Sequence, residues 1–103
     1  MLRIVNLKEY KLKPDEILIK VDRSSAIGNP FKMKNYSIKE RNRVCDEYAK
    51  YFDQEVKKAG AFRNEVIRIY RLAKSGKNIA LGCWCFPLRC HAMYIKEFIE
   101  FYL

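Results

Sequence analysis

The chain has a single histidine, His91, and only twelve acidic residues against twenty-one basic ones. One imidazole, itself a candidate metal ligand, leaves acid–base roles unassigned. Long apolar runs are also missing. The longest uncharged stretch, Asn78 to Leu88, falls far short of the roughly 20 residues a spanning helix needs, so no membrane partner is expected. The first residues, Met1-Leu2-Arg3-Ile4-Val5-Asn6, lack the basic-then-apolar layout of a signal peptide, which makes a soluble, cytoplasmic protein the expectation. Internal repeats and low-complexity linkers are absent. A chain of 103 residues can bury one core but not two, so residues 1–103 are read as a single domain.

What is present in excess is positive charge, +9 overall. Between Lys57 and Arg89 eight basic residues face one acid, Glu65. A field of that sign attracts phosphates, whether on a nucleotide, a nucleic acid or an anionic surface. The ordinary alternative is a solvated face that keeps the protein dispersed. Four cysteines occur, Cys45, Cys83, Cys85 and Cys90. Without a secretion signal a structural disulfide is the weaker reading, and neighbours at i, i+2 on a strand are poorly placed for one. Metal binding or thiol chemistry suits the cluster better.

The residue pattern predicts an α/β domain in the order β-β-α-α-β-α, its helices packed on a short, mostly parallel sheet. Leu2–Leu7 and Glu16–Val21 read as strands, with Lys13-Pro14-Asp15 as a turn between them. The Arg23–Phe31 stretch contains Gly28 and Pro30 and cannot be regular structure. Ser37-Ile38-Lys39-Glu40 is a capping-box pattern, and Val44, Tyr48, Phe52 and Val56 follow at helical spacing, with Gly60 as the stop. Phe62, Val66, Ile69 and Ala73 mark a second helix to Lys74. Arg68, Arg71 and Lys74 form a basic stripe on another of its faces. Asn78–Cys85 reads as a buried strand, best placed centrally, and a last helix starts at Cys90 or His91. Ligands of open parallel sheets sit at the carboxyl ends of strands, so the Arg23–Phe31 loop and the Cys85–Cys90 loop are expected to line one crevice.

The densest chemistry is Cys83-Trp84-Cys85-Phe86-Pro87-Leu88-Arg89-Cys90-His91. With Arg23, Gly28-Asn29-Pro30-Phe31 and Arg41, this segment resembles a family of small bacterial and phage proteins, the domain of unknown function DUF4326. The family pattern is an Arg after a strand, Gly-Asn-Pro-Phe, an Arg at a helix start and Cys-x-Cys-x-Pro-x-x-Cys-His. The resemblance covers nearly the whole chain and implies a Rossmann-like α/β domain, and a host-cytoplasmic location if the gene is phage-borne. One position departs: relatives often carry an acid two residues after the histidine, where this chain has Met93. The resemblance implies no established reaction.

Three site readings compete. In the first, Cys90 is a nucleophile at a helix N-terminus, where amides and dipole would stabilise a thiolate, with His91 beside it. In the second, Cys83, Cys85, Cys90 and His91 hold a structural zinc ion, although adjacent Cys and His are awkward on one ion. In the third, Arg23, Gly28, Asn29, Pro30, Phe31, Arg41, Cys83, Trp84 and Cys85 shape a pocket for a nucleotide-like or other phosphate-bearing small molecule. The bland counterparts are a buried helix-start cysteine, core aromatics at Trp84 and Phe86, and a turn-forming Asn29. A different class of function is a non-catalytic accessory protein that meets nucleic acid or a protein through Arg68, Arg71 and Lys74. No known nucleic-acid module is recognisable to support it.

Overall fold

The computed structural model describes residues 1–103. The elements are β1 (Leu2–Asn6), β2 (Glu16–Lys20), α1 (Ile38–Glu55), α2 (Ala61–Lys74), β3 (Asn78–Cys83) and α3 (His91–Tyr102), in the expected β-β-α-α-β-α order. The most apolar strand, β3, takes the centre of a sheet ordered β1-β3-β2, and both neighbours run parallel to it. A strand flanked on both edges and covered on both faces must be apolar throughout, and β3 is buried from Ile79 to Cys83.

Register decides the two faces. Ile79 and Leu81 align with Leu2 and Ile4 on one side and with Ile17 and Ile19 on the other. Against this face pack Tyr48 and Phe52 of α1, Phe62, Val66 and Ile69 of α2, and Ala92, Ile95 and Ile99 of α3, all in one cluster. Full burial of such side chains stabilises the fold by about 1.5–3 kcal/mol each. The Tyr48 hydroxyl, in the middle of the cluster, donates to the Ile27 carbonyl at 2.6 Å, so its burial leaves no polar group unpaired.

The other face, with Ala80 and Gly82, is covered by the connection between β1 and β2. Because both strands run parallel to β3, this connection must return to the start of the sheet rather than form a hairpin. Leu7 crosses over Gly82 so closely that a Cβ there would lie 2.5 Å from Leu7 Cδ2. Arg3 ties the returning segment down, donating to the Lys11 carbonyl at 2.8 Å and to both carboxylate oxygens of Glu16 at 2.6 and 2.7 Å. Asp15 turns into β2 with φ of 61°, a left-handed conformation that Asp tolerates.

Several boundaries differ from expectation for local reasons. The Ser37 hydroxyl caps α1 by accepting the Glu40 amide at 3.1 Å. The reciprocal half of the box is not made: Glu40 instead accepts the Lys34 amide and pairs with Arg43 at 2.6 Å. The first helix ends at Glu55, with Val56 as its last cap, and Gly60 begins α2 rather than terminating α1. The helix α2 closes with Gly76 at φ of 89°, where the Gly76 amide reaches the Ala73 carbonyl and the Lys77 amide that of Leu72, the paired bonds of a Schellman stop. The strand β3 stops at Cys83, two residues early, because Asn6 Nδ2 donates to the carbonyls of Trp84 and Phe86 and draws the chain into a turn. No helix is long and apolar enough to cross a membrane.

Candidate functional site

A cleft of about 380 Å³ opens at the carboxyl ends of β2 and β3. The Arg23–Phe31 loop, the first turns of α1 and the Trp84–His91 segment meet there, as the strand order requires. Its buried lining consists of Asn29, Val44, Cys45, Cys90 and His91. Around them stand Phe31, Met33 and Cys85, with Trp84, Arg23 and Arg89 exposed at the rim and Arg41 half-buried.

The loop owes its shape to three residues. A Cβ on Gly28 would stand 2.2 Å from the Asp22 carbonyl oxygen and 2.7 Å from Arg23 Cα, so only glycine lets the loop fold back against the strand end. Asn29 accepts the Phe31 amide at 2.9 Å through its side-chain oxygen and donates from Nδ2 to the Val44 carbonyl at 3.2 Å, which fastens the loop to α1. It is therefore both a turn former and part of the cleft lining. Arg23 donates to the carbonyls of Asn29 and Phe31, both at 3.3 Å. Gly28 and Pro30 do not line the cleft; they act on its shape.

Arg41 donates from Nη1 to the Arg89 carbonyl at 3.3 Å and so joins α1 to the segment before α3. Arg89 is committed elsewhere, to Asn42 at 3.0 Å and Asp46 at 2.9 Å. Neither Arg23 nor Arg41 takes part in any of the six ion pairs. Both keep N–H groups without a carboxylate partner at the cleft. The one acid in the lining, Asp22, accepts from the Ser24 hydroxyl and from Trp84 Nε1 at 2.9 Å, bonds that hold its carboxyl below the usual range. Trp84 is thus no core residue: it is 60% exposed and fixed against the rim by Asp22.

His91 is buried, with Nε2 donating to the Val21 carbonyl and the ring lying edge-on to Tyr48 at 5.1 Å. Burial pushes its pKa down. A carbonyl can only accept, so the neutral ring carries its proton on Nε2, and Nδ1 is left as an acceptor. Cys90 is the N-cap of α3, and its sulfur lies 3.1 Å from that of Cys83. That neighbour outweighs the helix dipole. Cys83 is lowered chiefly by the hydrogen bond from Cys90 and further by the amides of Cys85 and Phe86, against the opposing effect of burial. Cys90 is pushed far up by donating to Cys83, by burial and by the negative charge on its partner. The lowered thiol is therefore Cys83, outside the cleft lining, rather than Cys90 within it.

The zinc arrangement is not formed. Cys83 and Cys90 meet, but His91 gives Nε2 to a backbone carbonyl, and nowhere do three or more His, Cys, Asp or Glu side chains converge as a metal site. Cys85, expected to share a face with Cys83 on a continuous strand, lies past the strand's end and lines the cleft instead. On α2 the basic stripe is neutralised at one position, where Arg68 makes a two-pronged bond to Glu65 at 2.6 and 2.8 Å; Lys74 reaches only the Tyr70 hydroxyl, at 3.2 Å.

Four lining residues escaped the sequence reading: Asp22, Met33, Val44 and Cys45. Asp22 had a signal in its position next to Arg23 at a strand end. Val44 and Cys45 lie on the buried face of α1, whose first turns turn out to serve the cleft as well as the core. No curated protein and no solved structure matches the chain. A family model does, over residues 5–101, and its span takes in both the loop and the cysteine segment that meet at the cleft. The chain belongs to the domain of unknown function family DUF4326.

Proposed function

We propose that the cleft binds a small molecule carrying a phosphate and a flat ring, of which a nucleotide is the model. The observation that carries this reading is the pair of arginines, Arg23 and Arg41, which line the cleft without a carboxylate partner while their geometry is fixed by backbone carbonyls. Fixed guanidinium groups with unused N–H donors suit phosphate oxygens. Trp84 and Phe31 supply aromatic surface for a ring, and the volume is that of a small-ligand site. The first amides of α3 add a further preference for an anion. Processing of the bound molecule would use Cys90 as the nucleophile once its proton has passed to Cys83 or to solvent. A neutral His91 with Nδ1 unprotonated would be the neighbouring base. The basic stripe of α2 is the lesser candidate for a nucleic acid, because Arg68 is held by Glu65.

Trp84 is the only tryptophan, so its emission reports on the cleft without a label. Titration with adenosine and guanosine monophosphates and with inorganic phosphate should give saturable quenching by at least one of them. Arg41→Gln should weaken it by about 10- to 100-fold, the worth of a charge-assisted hydrogen bond. No change in emission or in melting temperature at millimolar ligand would overturn the reading. Binding to duplex or single-stranded nucleic acid alone would replace it with the α2 surface.

A further inference from the structure

We propose that Cys83 and Cys90 are a reactive dithiol that a low-molecular-weight disulfide oxidises to an internal bond between the end of β3 and the cap of α3. The geometry is specific to this pair. Their sulfurs are 3.1 Å apart, inside normal van der Waals contact, and all four cysteines are free thiols. A disulfide needs the sulfurs at about 2.05 Å, so the remaining approach is about 1 Å. Both side chains are held by buried neighbours, Cys83 at 0% and Cys90 at 4% exposure, and sit in the same core cluster. Two thiols so confined meet without any loss of chain freedom at the moment of reaction, which favours the internal bond over two mixed disulfides.

Access sets the order of events. Cys90 lines the cleft and Cys83 does not. The Cys90 sulfur passes its proton to Cys83 as it attacks one sulfur of the small disulfide; that S–S bond breaks, and the leaving thiolate takes up the proton, which restores the Cys83 thiolate. The Cys83 thiolate then attacks the Cys90 sulfur and displaces the second thiolate. Two protein thiols and one disulfide become one protein disulfide and two small thiols, with two electrons passed to the reagent. A dithiol reductant reverses both steps. Cys83 is suited to the second step because it carries the lowered pKa of the pair. The proposal is independent of what the cleft binds.

The test is incubation of the intact protein with oxidised glutathione at neutral pH, an acid quench, alkylation and mass spectrometry. Trypsin cuts after Arg89, which separates Cys83 and Cys85 from Cys90. The expected result is loss of two hydrogens, with Asn78–Arg89 joined to Cys90–Lys96, Cys85 and Cys45 alkylated, and full recovery after dithiothreitol. The variant Cys45→Ser with Cys85→Ser should still form the bond. A persistent glutathione adduct on Cys85 or Cys90, a bond between Cys83 and Cys85, or four alkylated thiols after millimolar oxidant would each overturn it. The wild-type chain carries the decisive readout, so a folding defect in a variant cannot obscure it.

Discussion

Two glycines with opposite tolerance show how much a single position decides. The space a Cβ would need at Gly28 is filled by backbone, the Asp22 carbonyl and Arg23 Cα, and backbone in a loop tied at both ends cannot give way. At Gly82 the obstruction is Leu7, a side chain that can rotate. Gly28→Ala should therefore destabilise by about 1–3 kcal/mol, the usual cost of overpacking, and Gly82→Ala by clearly less. Urea unfolding of the two variants decides it; the reverse ranking would show that the Arg23–Phe31 loop is not pressed against the end of β2. The same contrast explains Asn29. Its side chain satisfies a loop amide and an α1 carbonyl at once, so its worth lies in joining two elements.

Elements are joined here by carboxylates and by one imidazole, and each leaves a trace in pH. Glu16 is held to about 2 by its bonds to Arg3, and Glu40 to about 2 by Arg43 and the Lys34 amide. Groups depressed this way stabilise the fold above their ordinary value, about 4.5, and that support is lost as pH falls toward about 2. His91 acts earlier. Burial lowers its pKa, so below about 6.5 the unfolded chain takes up a proton that the folded chain refuses, and stability falls with pH. Denaturation midpoints from pH 8 to pH 2 should thus decline in two stages. His91→Gln should shrink the first stage, to which the lowered Cys83 thiol also contributes, and Glu16→Gln should shrink the second. A single decline confined below pH 4.5 would mean that His91 protonates freely in the folded protein.

At the scale of the whole molecule, a +9 chain presents two different kinds of positive surface. On α2 the charge is solvated and partly paired, and there it acts as a diffuse field that salt screens. In the cleft, Arg23 and Arg41 are oriented by backbone carbonyls, so on the proposed reading their effect is local and stereochemical. Neutralising Arg68, Arg71 and Lys74 together should leave cleft binding within about twofold, since none of the three lines the cleft and salt screens exposed charges over a Debye length of about 8 Å. The quenching titration at 0.15 M salt measures this. A loss matching that of Arg41→Gln would join the two surfaces into one binding face.

Much of this was open to reading in the chain itself. Period-two and helical spacings reported six elements in the right order because each depends on neighbours a few residues away. The apolar Ile79–Cys83 run marked the central strand for the same reason, and parallel order then put the Arg23 loop and the Cys85–Cys90 turn at one end of the sheet. What depended on meetings between distant residues was not legible. Nothing local says that Asn6 ends β3 at Cys83, or that Cys83, expected in the pocket with Cys85, lies outside its lining and finds Cys90 instead. The thiol order followed from that contact. A helix N-terminus alone would have lowered Cys90, whereas a second sulfur 3.1 Å away, itself favoured by two backbone amides, keeps the proton on Cys90. Residue type and spacing named the groups that could react; only packing decided which of them face one another, because a proton and a sulfur respond to what lies within a few ångströms in space, however far apart in sequence.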